Sequence, residues 1–402
     1  MDRRDFLRLS GLSAGLLSLP VLGTRALVWA AGDDRLRSFP LAGRILVLVE
    51  LHGGNDGLNT VIPYRSERYR ELRPRLAIPR GDVLPLDDSL ALHPSLKPLR
   101  EIWDAREIAL VLGVGYAQPN RSHFRSIEIW ETGSRSDELL DEGWIARLLA
   151  GIDLPAERAA DGILLGRGHP GPLAGPLMRN VALNDPKRFQ EQASRLRPSP
   201  RLGGNRALEH VLGVGADPRR GARIIAERRA RAPALGVDFP RSPLGRQFRA
   251  AAELVASGVP VQVIKLFQGG YDTHTNQLGA HARLLEQLAA GVAAFRSALG
   301  KAGLWKDVLL MTYSEFGRRA AQNGSGGTDH GTAAPHLLIG GSVRGGIYGE
   351  QPSLEDLAKD DLRHTVDYRR LYATVAREWW HIRGARSALG DFEAIRCIDN
   401  TM

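Results

Sequence analysis

"ILVLVELHGGNDGLNTVIPY", residues 45–64, starts as protein interior and then changes character. Apolar residues in its first half do not alternate with polar ones, which predicts a strand buried on both faces, over 44–51. The strand then opens into His52, two glycines, Asn55 and Asp56. Sheets buried on both faces carry their ligands outside the carboxyl ends of their strands, so the polar half of this stretch marks one edge of a site.

The rest of the chain repeats that grammar. A strand is expected at 107–113, a helix opened by Ser122 and closed by Gly133, and a strand within "VPVQVIKLFQGG". The helix that follows shows Leu278, Leu285, Leu288, Val292, Phe295 and Leu299 on one face. "KDVLLMTYSEFG" and "PHLLIGGSV" read as further strands, and "TVDYRRLYATVAREWWHI" as a closing amphipathic helix. Alternating strands and helices imply an α/β fold, a mostly parallel central sheet with helices on both faces. The arginine-rich stretch from about 185 to 257 reads as a solvated helical insertion.

With 402 residues, 43% of them apolar and 25% charged, the chain can bury a large core. Its net charge of +9 is spread along the sequence, and the arginines of 218–231 lack interleaved aromatics, so no nucleic-acid partner is expected. Cys397 is the single cysteine, so no intrachain disulfide can form. Residues 1–32 differ from the remainder: Arg3 and Arg4 precede Phe6, Leu7 and a Gly- and Ser-diluted apolar stretch ending in small residues. This resembles a twin-arginine export signal, with the translocase as partner during export and a periplasmic or extracellular destination. Gly11, Gly15, Pro20, Gly23 and Arg25 interrupt any ~18-residue apolar span, and no other segment offers one, so no transmembrane span is expected in the mature form.

Five polar clusters follow the predicted strands: "HGGNDG" (52–57), "QPNRSHF" (118–124), "QGGYDTHTNQ" (268–277), "YSEFGRR" (313–319) and "GGTDHGTAAPH" (326–336). Asp272 and His274 are two apart and point the same way in extended backbone, which suits two ligands of one ion. Asp329 and His330 add another carboxylate and imidazole. Oxygen and nitrogen donors without thiolate suit zinc, manganese, magnesium or calcium. Asp56, Asp272 and His330 together favour a metal, whereas His52 reads only as a cap on the strand edge. Ser122 opens a helix, where free N–H groups attract anions, and Arg121 and His123 flank its hydroxyl with a cation and an acid/base group. The arrangement suits phosphoryl or sulfuryl chemistry, with Ser122 attacking or only holding the anion.

The leader, "GGNDGLNTVIPY", "NRSHFRSIEIWETG", "GGYDTHTNQ", "TYSEFGRR" and "GTDHGTAAPH", in that order, resemble the DUF1501 family of exported bacterial proteins. That family resembles in turn the alkaline phosphatase and sulfatase superfamily. The resemblance implies a single alkaline phosphatase-like α/β domain over 33–402 and one or two divalent ions. Asp56 would match the superfamily's first carboxylate ligand, Ser122 its nucleophile, Asp272 and His274 its mid-chain Asp/His pair, and His330 its late histidine. Two departures stand out. The pair is spaced D-x-H rather than D-x-x-x-H, and Glu315-Phe316 stands where Asp-His is common, which leaves Glu315 as a carboxylate ligand without its imidazole. "AQPNR" has Pro119 and Arg121 of the sulfatase maturation motif but Ala117 in place of the oxidisable residue, which excludes a formylglycine enzyme. The expectation is an exported metal-dependent hydrolase of small anionic esters, with catalytic Ser122, Arg121 and His123 and metal ligands Asp56, Asp272, His274, Glu315, Asp329 and His330. The alternative is a non-catalytic envelope protein that keeps the fold and binds an envelope component.

Overall fold

The computed structural model describes residues 41–399 except 42, 153, 155–156, 167–168 and 184–217. The leader and much of the expected insertion lie outside the described residues.

The first strand, β1 (Ile45–His52), is the axis of the molecule. In chain order the described strands continue as β2 (Val61–Ile62), β3 (Leu84–Pro85), β4 (Ala91–Leu92), β5 (Ile108–Gly115), β6 (Ala160–Leu164), β7 (Asn180–Ala182), β8 (Val261–Gly269), β9 (Val308–Tyr313), β10 (Ala334–Ile339), β11 (Gly346–Tyr348) and β12 (Val366–Asp367). The helices are α1 (Glu67–Leu72), α2 (Arg100–Asp104), α3 (His123–Thr132), α4 (Trp144–Leu149), α5 (Pro218–Ala230), α6 (Pro243–Ala256), α7 (Gln277–Lys301), α8 (Arg369–Ala373) and α9 (Ala385–Leu389).

The main sheet has the order β11-β5-β10-β9-β1-β8-β6-β7, with β12 also on β5, and β2, β4 and β3 form a small separate sheet. β1 lies parallel to β8 on one side and to β9 on the other, with Leu48 opposite Lys265 and Met311. Ile45, Val47, Val49 and Leu51 pack with Phe248 of α6 and Leu285, Leu288, Val292, Phe295 and Leu299 of α7. Leu46 and Leu48 point the other way, towards Trp130 of α3, Trp144 of α4 and Tyr372 of α8. The alternation of one strand thus feeds two cores, and the expected sheet with helices on both faces is what forms.

Four expectations need correcting. β10 runs antiparallel to both β5 and β9, so 326–336 leads into a strand and does not follow one. The start of an antiparallel strand lies at the same edge as the ends of its parallel neighbours, and the cluster reaches that edge by this route. Helix α6 is no part of a solvated insertion, since Leu244, Phe248, Ala251, Ala252, Leu254 and Val255 are all buried. The closing segment 365–382 is not one helix: β12 precedes α8, and Thr374–Trp379 widens into a π-helical turn. On α7, Leu278 is exposed, because Gln277 and His281 take the inward positions of the first turns.

Candidate metal centre

α3 begins where the sequence places it. Ser122 is its N-cap, and Gly133 closes it with φ 73°, the left-handed conformation that glycine tolerates best. This turns His123, the first helical residue, towards the carboxyl edge of β1 and β9. There His123 Nδ1 lies 2.9 Å from Glu315 Oε1, the oxygen that also accepts the Gly53 N–H at 2.8 Å.

The other two histidines are held in the same manner. His330 Nδ1 lies 2.8 Å from the carbonyl oxygen of Arg121, and His274 Nδ1 lies 3.1 Å from Asp329 Oδ1. Each imidazole therefore donates through Nδ1 to an oxygen and keeps its Nε2 lone pair for the centre. All three Nε2 atoms face Asp272: His274 at 3.0 Å and His330 at 3.2 Å from Oδ1, His123 at 3.5 Å from Oδ2. His274 Nε2 and His330 Nε2 are 3.0 Å apart. Donor atoms of His123, Asp272 and His330 all fall within 4.8 Å of one another, the one such group among the described residues.

Lone pairs set against one another repel unless a proton or a cation lies between them. Three imidazoles turned by oxygen acceptors, with one carboxylate, form a donor set that fits a divalent transition ion, and outer acceptors of this kind orient metal-bound histidines generally. Burial holds His330 below the ordinary imidazole value, against the pull of the Arg121 carbonyl and Asp272. Burial raises Asp272, but the Arg318 guanidinium at 2.6 Å outweighs it and takes the carboxyl down to about 2.

Arg318 assembles the edge. Fully buried, it donates to Gly54 O at 2.8 Å, Thr328 O at 2.9 Å and Tyr271 O at 3.0 Å, and also to Gly53 O. One side chain thus ties three of the polar loops together. Gly53, at φ 117°, passes so close to the Asp272 backbone that a Cβ there would collide with it. Phe316, in the place where an imidazole was looked for, puts its ring 4.6 Å from that of His330 and 5.0 Å from that of His123, an apolar floor under the centre.

All five polar clusters meet here, with their residues redistributed. His123, read as an acid/base group, faces the centre as a donor. Glu315 and Asp329, read as ligands, stand one shell out behind His123 and His274. Asp56 is elsewhere: fully buried, its Oδ2 lies 2.6 Å from Arg73 Nη1 and accepts from Gln277. Enclosed by Arg73 and Gln277, that carboxylate stands outside the group of donor atoms formed by His123, Asp272 and His330, whereas Asp272 is half-exposed among the histidines. Arg121 is half tied, its Nη2 2.8 Å from the buried Asp361. Ser122 is exposed, and among the described residues its hydroxyl makes no cap bond. His52 was read as a strand cap, yet its Nδ1 lies 3.0 Å from the buried Glu50. The overlooked signals were charges inside apolar strands, Glu50 in β1 and Lys265 in β8.

Residues 44–383 match the family described as "Protein of unknown function (DUF1501)". No curated protein matches the chain. Among solved structures it is similar to Ps i-CgsB in complex with k-i-k-neocarrahexaose, at 12% identity and TM-score 0.43, over 87% of this chain and 75% of that one. It is also similar to a sulfatase from Pseudoalteromonas sp. (10% identity, TM-score 0.38, 90% and 75% covered). A third similar structure is the alkaline phosphatase of the Antarctic bacterium TAB5 (10% identity, TM-score 0.33, 76% and 94% covered).

Proposed function

The chain belongs to the DUF1501 family, and from the site this member carries we propose that it is an exported, metal-dependent hydrolase of phosphate or related esters. The observation that supports this reading is the set of three Nε2 lone pairs and one carboxylate at a solvent-reached sheet edge. His123, His330 and Asp272 would hold the ion, with His274 as a fourth donor. A bound divalent ion supplies Lewis-acid polarisation of an ester oxygen and acidifies a nearby hydroxyl.

The chain's own residues do the rest. Ser122 stands between Arg121, whose carbonyl holds His330, and His123, whose ring meets Asp272. Its hydroxyl is open to solvent, and in this reading it is the attacking group. The free N–H groups at the start of α3 hold the ester anion, with the remaining donors of Arg121 beside them. Phe316 keeps one side of the centre dry, which strengthens these interactions. Export agrees with the twin arginine at Arg3 and Arg4, and no helix among the described residues is long and apolar enough to cross a membrane.

The test is elemental analysis of the folded mature protein, followed by assays on phosphate and sulfate esters with and without added divalent ions. One ion per chain and metal-dependent turnover are expected, with Asp272→Asn and His330→Ala each losing most of the metal while staying folded. A wild-type protein that takes up no ion after loading sinks the proposal and leaves the envelope-binding alternative.

A further inference from the structure

We propose that His52, oriented by Glu50, is the general acid–base residue of this site, protonating the leaving group of the ester. The inference rests on the ester-hydrolase reading above and extends it to a residue that the centre does not use.

His52 ends β1 and stands two residues beyond Glu50, so both side chains leave the strand on one face. Glu50 is buried and bound from three sides. His52 Nδ1 lies 3.0 Å from Oε1, while Lys265 Nζ at 2.7 Å and the Tyr313 hydroxyl at 3.1 Å reach Oε2. Burial raises this carboxyl, yet His52 and Lys265 outweigh burial and bring it to about 2. An ionised, immobile carboxylate fixes the imidazole with Nδ1–H towards it and leaves Nε2 as the exchanging position.

The support is buried and the ring is not. The His52 side chain is 44% exposed, with its ring centroid 6.5 Å from that of His123. If the arrangement served only to neutralise Glu50, the Lys265 ammonium would suffice, and no half-exposed imidazole would be needed. Lys265 is itself fixed by the carbonyl of His169 at 3.0 Å. The titratable and charged groups around His52 are Glu50 on its own strand, Lys265 on β8, Glu315 after β9, Glu131 and His123 on α3, and His169. The Glu50 bond raises its pKa above the ordinary imidazole value. With Nδ1 bonded to Glu50, Nε2 is the ring atom left to exchange a proton with a leaving group.

Ser122 Oγ bonds to phosphorus and its proton passes to bulk water. The bond from phosphorus to the leaving oxygen breaks with its electron pair, and that oxygen takes the Nε2 proton of His52. In the second half, neutral His52 takes a proton from water as the water oxygen bonds to phosphorus. The Ser122–phosphorus bond breaks and Oγ regains a proton from solvent. One ester and one water give one alcohol and one phosphate.

The experiment compares wild type and His52→Gln, both metal-loaded, on 4-nitrophenyl phosphate and ethyl phosphate. Nitrophenolate leaves without a proton and ethoxide does not. The variant should lose about a hundredfold or more on ethyl phosphate and only a fewfold on the nitrophenyl ester, with unchanged metal content. Nitrogen-15 spectra of the metal-free wild type should show neutral His52 protonated at Nδ1. Equal losses on both esters, loss of the ion with the imidazole, or an Nε2–H tautomer overturn the assignment to His52 while the hydrolase reading stands. A wild type that hydrolyses neither ester removes both.

Discussion

Glu315 Oε1 accepts from His123 Nδ1 at 2.9 Å and from the Gly53 N–H at 2.8 Å, so one buried oxygen fixes both a candidate ligand and the turn that ends β1. The carboxylate aligns the ring and adds electron density to it. Glu315→Gln keeps an acceptor for Gly53 but removes the charge behind His123. Metal affinity should fall by about 10- to 100-fold, read by competition with a chelator, with the melting curve little changed. Unchanged affinity would place Glu315 outside the centre altogether.

The sequence shows where this site lies better than it shows who does what. Runs such as Ile45–Leu51 announce buried strands, and ligand positions at their carboxyl ends follow from the fold class. Asp272 and His274 were legible because spacing on one short segment fixes which way they face. His123 was not, since the acceptor that turns its ring is 192 residues away. Strand direction leaves no periodicity, so the reversal of β10 could not be read, and the route by which His330 reaches the edge was missed with it. Asp56 has the look of a ligand beside glycines. Only the fold brings Arg73, from just past the end of α1, onto it.

That pair yields a prediction opposite to the sequence expectation. Asp56 and Arg73 are both fully buried, and Arg73 also donates to the carbonyls of Ala320 and Arg319, each at 2.8 Å. Asp56→Asn should leave the metal content of the folded protein unchanged. It should lower stability by about 3 kcal/mol in urea unfolding, because a buried guanidinium loses its counter-charge. Loss of the ion at unchanged stability would restore Asp56 to the ligand set.

A second buried carboxylate should govern how stability falls as pH rises from about 4.5 to about 8. Lys265 Nζ is 2.7 Å from Glu50 but 3.7 Å from Glu131, so the nearer carboxylate takes the charge. Burial raises Glu131 from 4.5 to about 8, with Lys265 opposing too weakly to prevent it. A raised folded-state pKa favours the protonated form. The contribution is full below about 4.5, declines as pH rises, and is gone above about 8. Gln mimics protonated Glu, so Glu131→Gln should flatten the fall in stability between those values and gain on the order of a few kcal/mol at the upper end. Denaturant unfolding across the pH range measures this. Parallel curves for both proteins would mean that Glu131 is ionised throughout.

Ser122 allows the sharpest separation of chemistry from structure. Its hydroxyl is exposed and makes no cap bond, so helix α3 starts without help from that oxygen. Removal should therefore cost less than the roughly 1 kcal/mol of a working N-cap. The ion should also stay, since the donors around Asp272 are the flanking and facing histidines and not the serine. If Ser122 attacks the ester, Ser122→Ala loses the covalent route, and turnover of 4-nitrophenyl phosphate should fall by about a hundredfold or more with metal content and melting temperature unchanged. The covalent intermediate can be sought directly, by acid-quenching wild type on the ester and looking for the added mass on the peptide carrying Ser122. A variant that keeps full activity, with no added mass in the wild type, assigns the attack to water and leaves Ser122 as part of the anion-holding helix end.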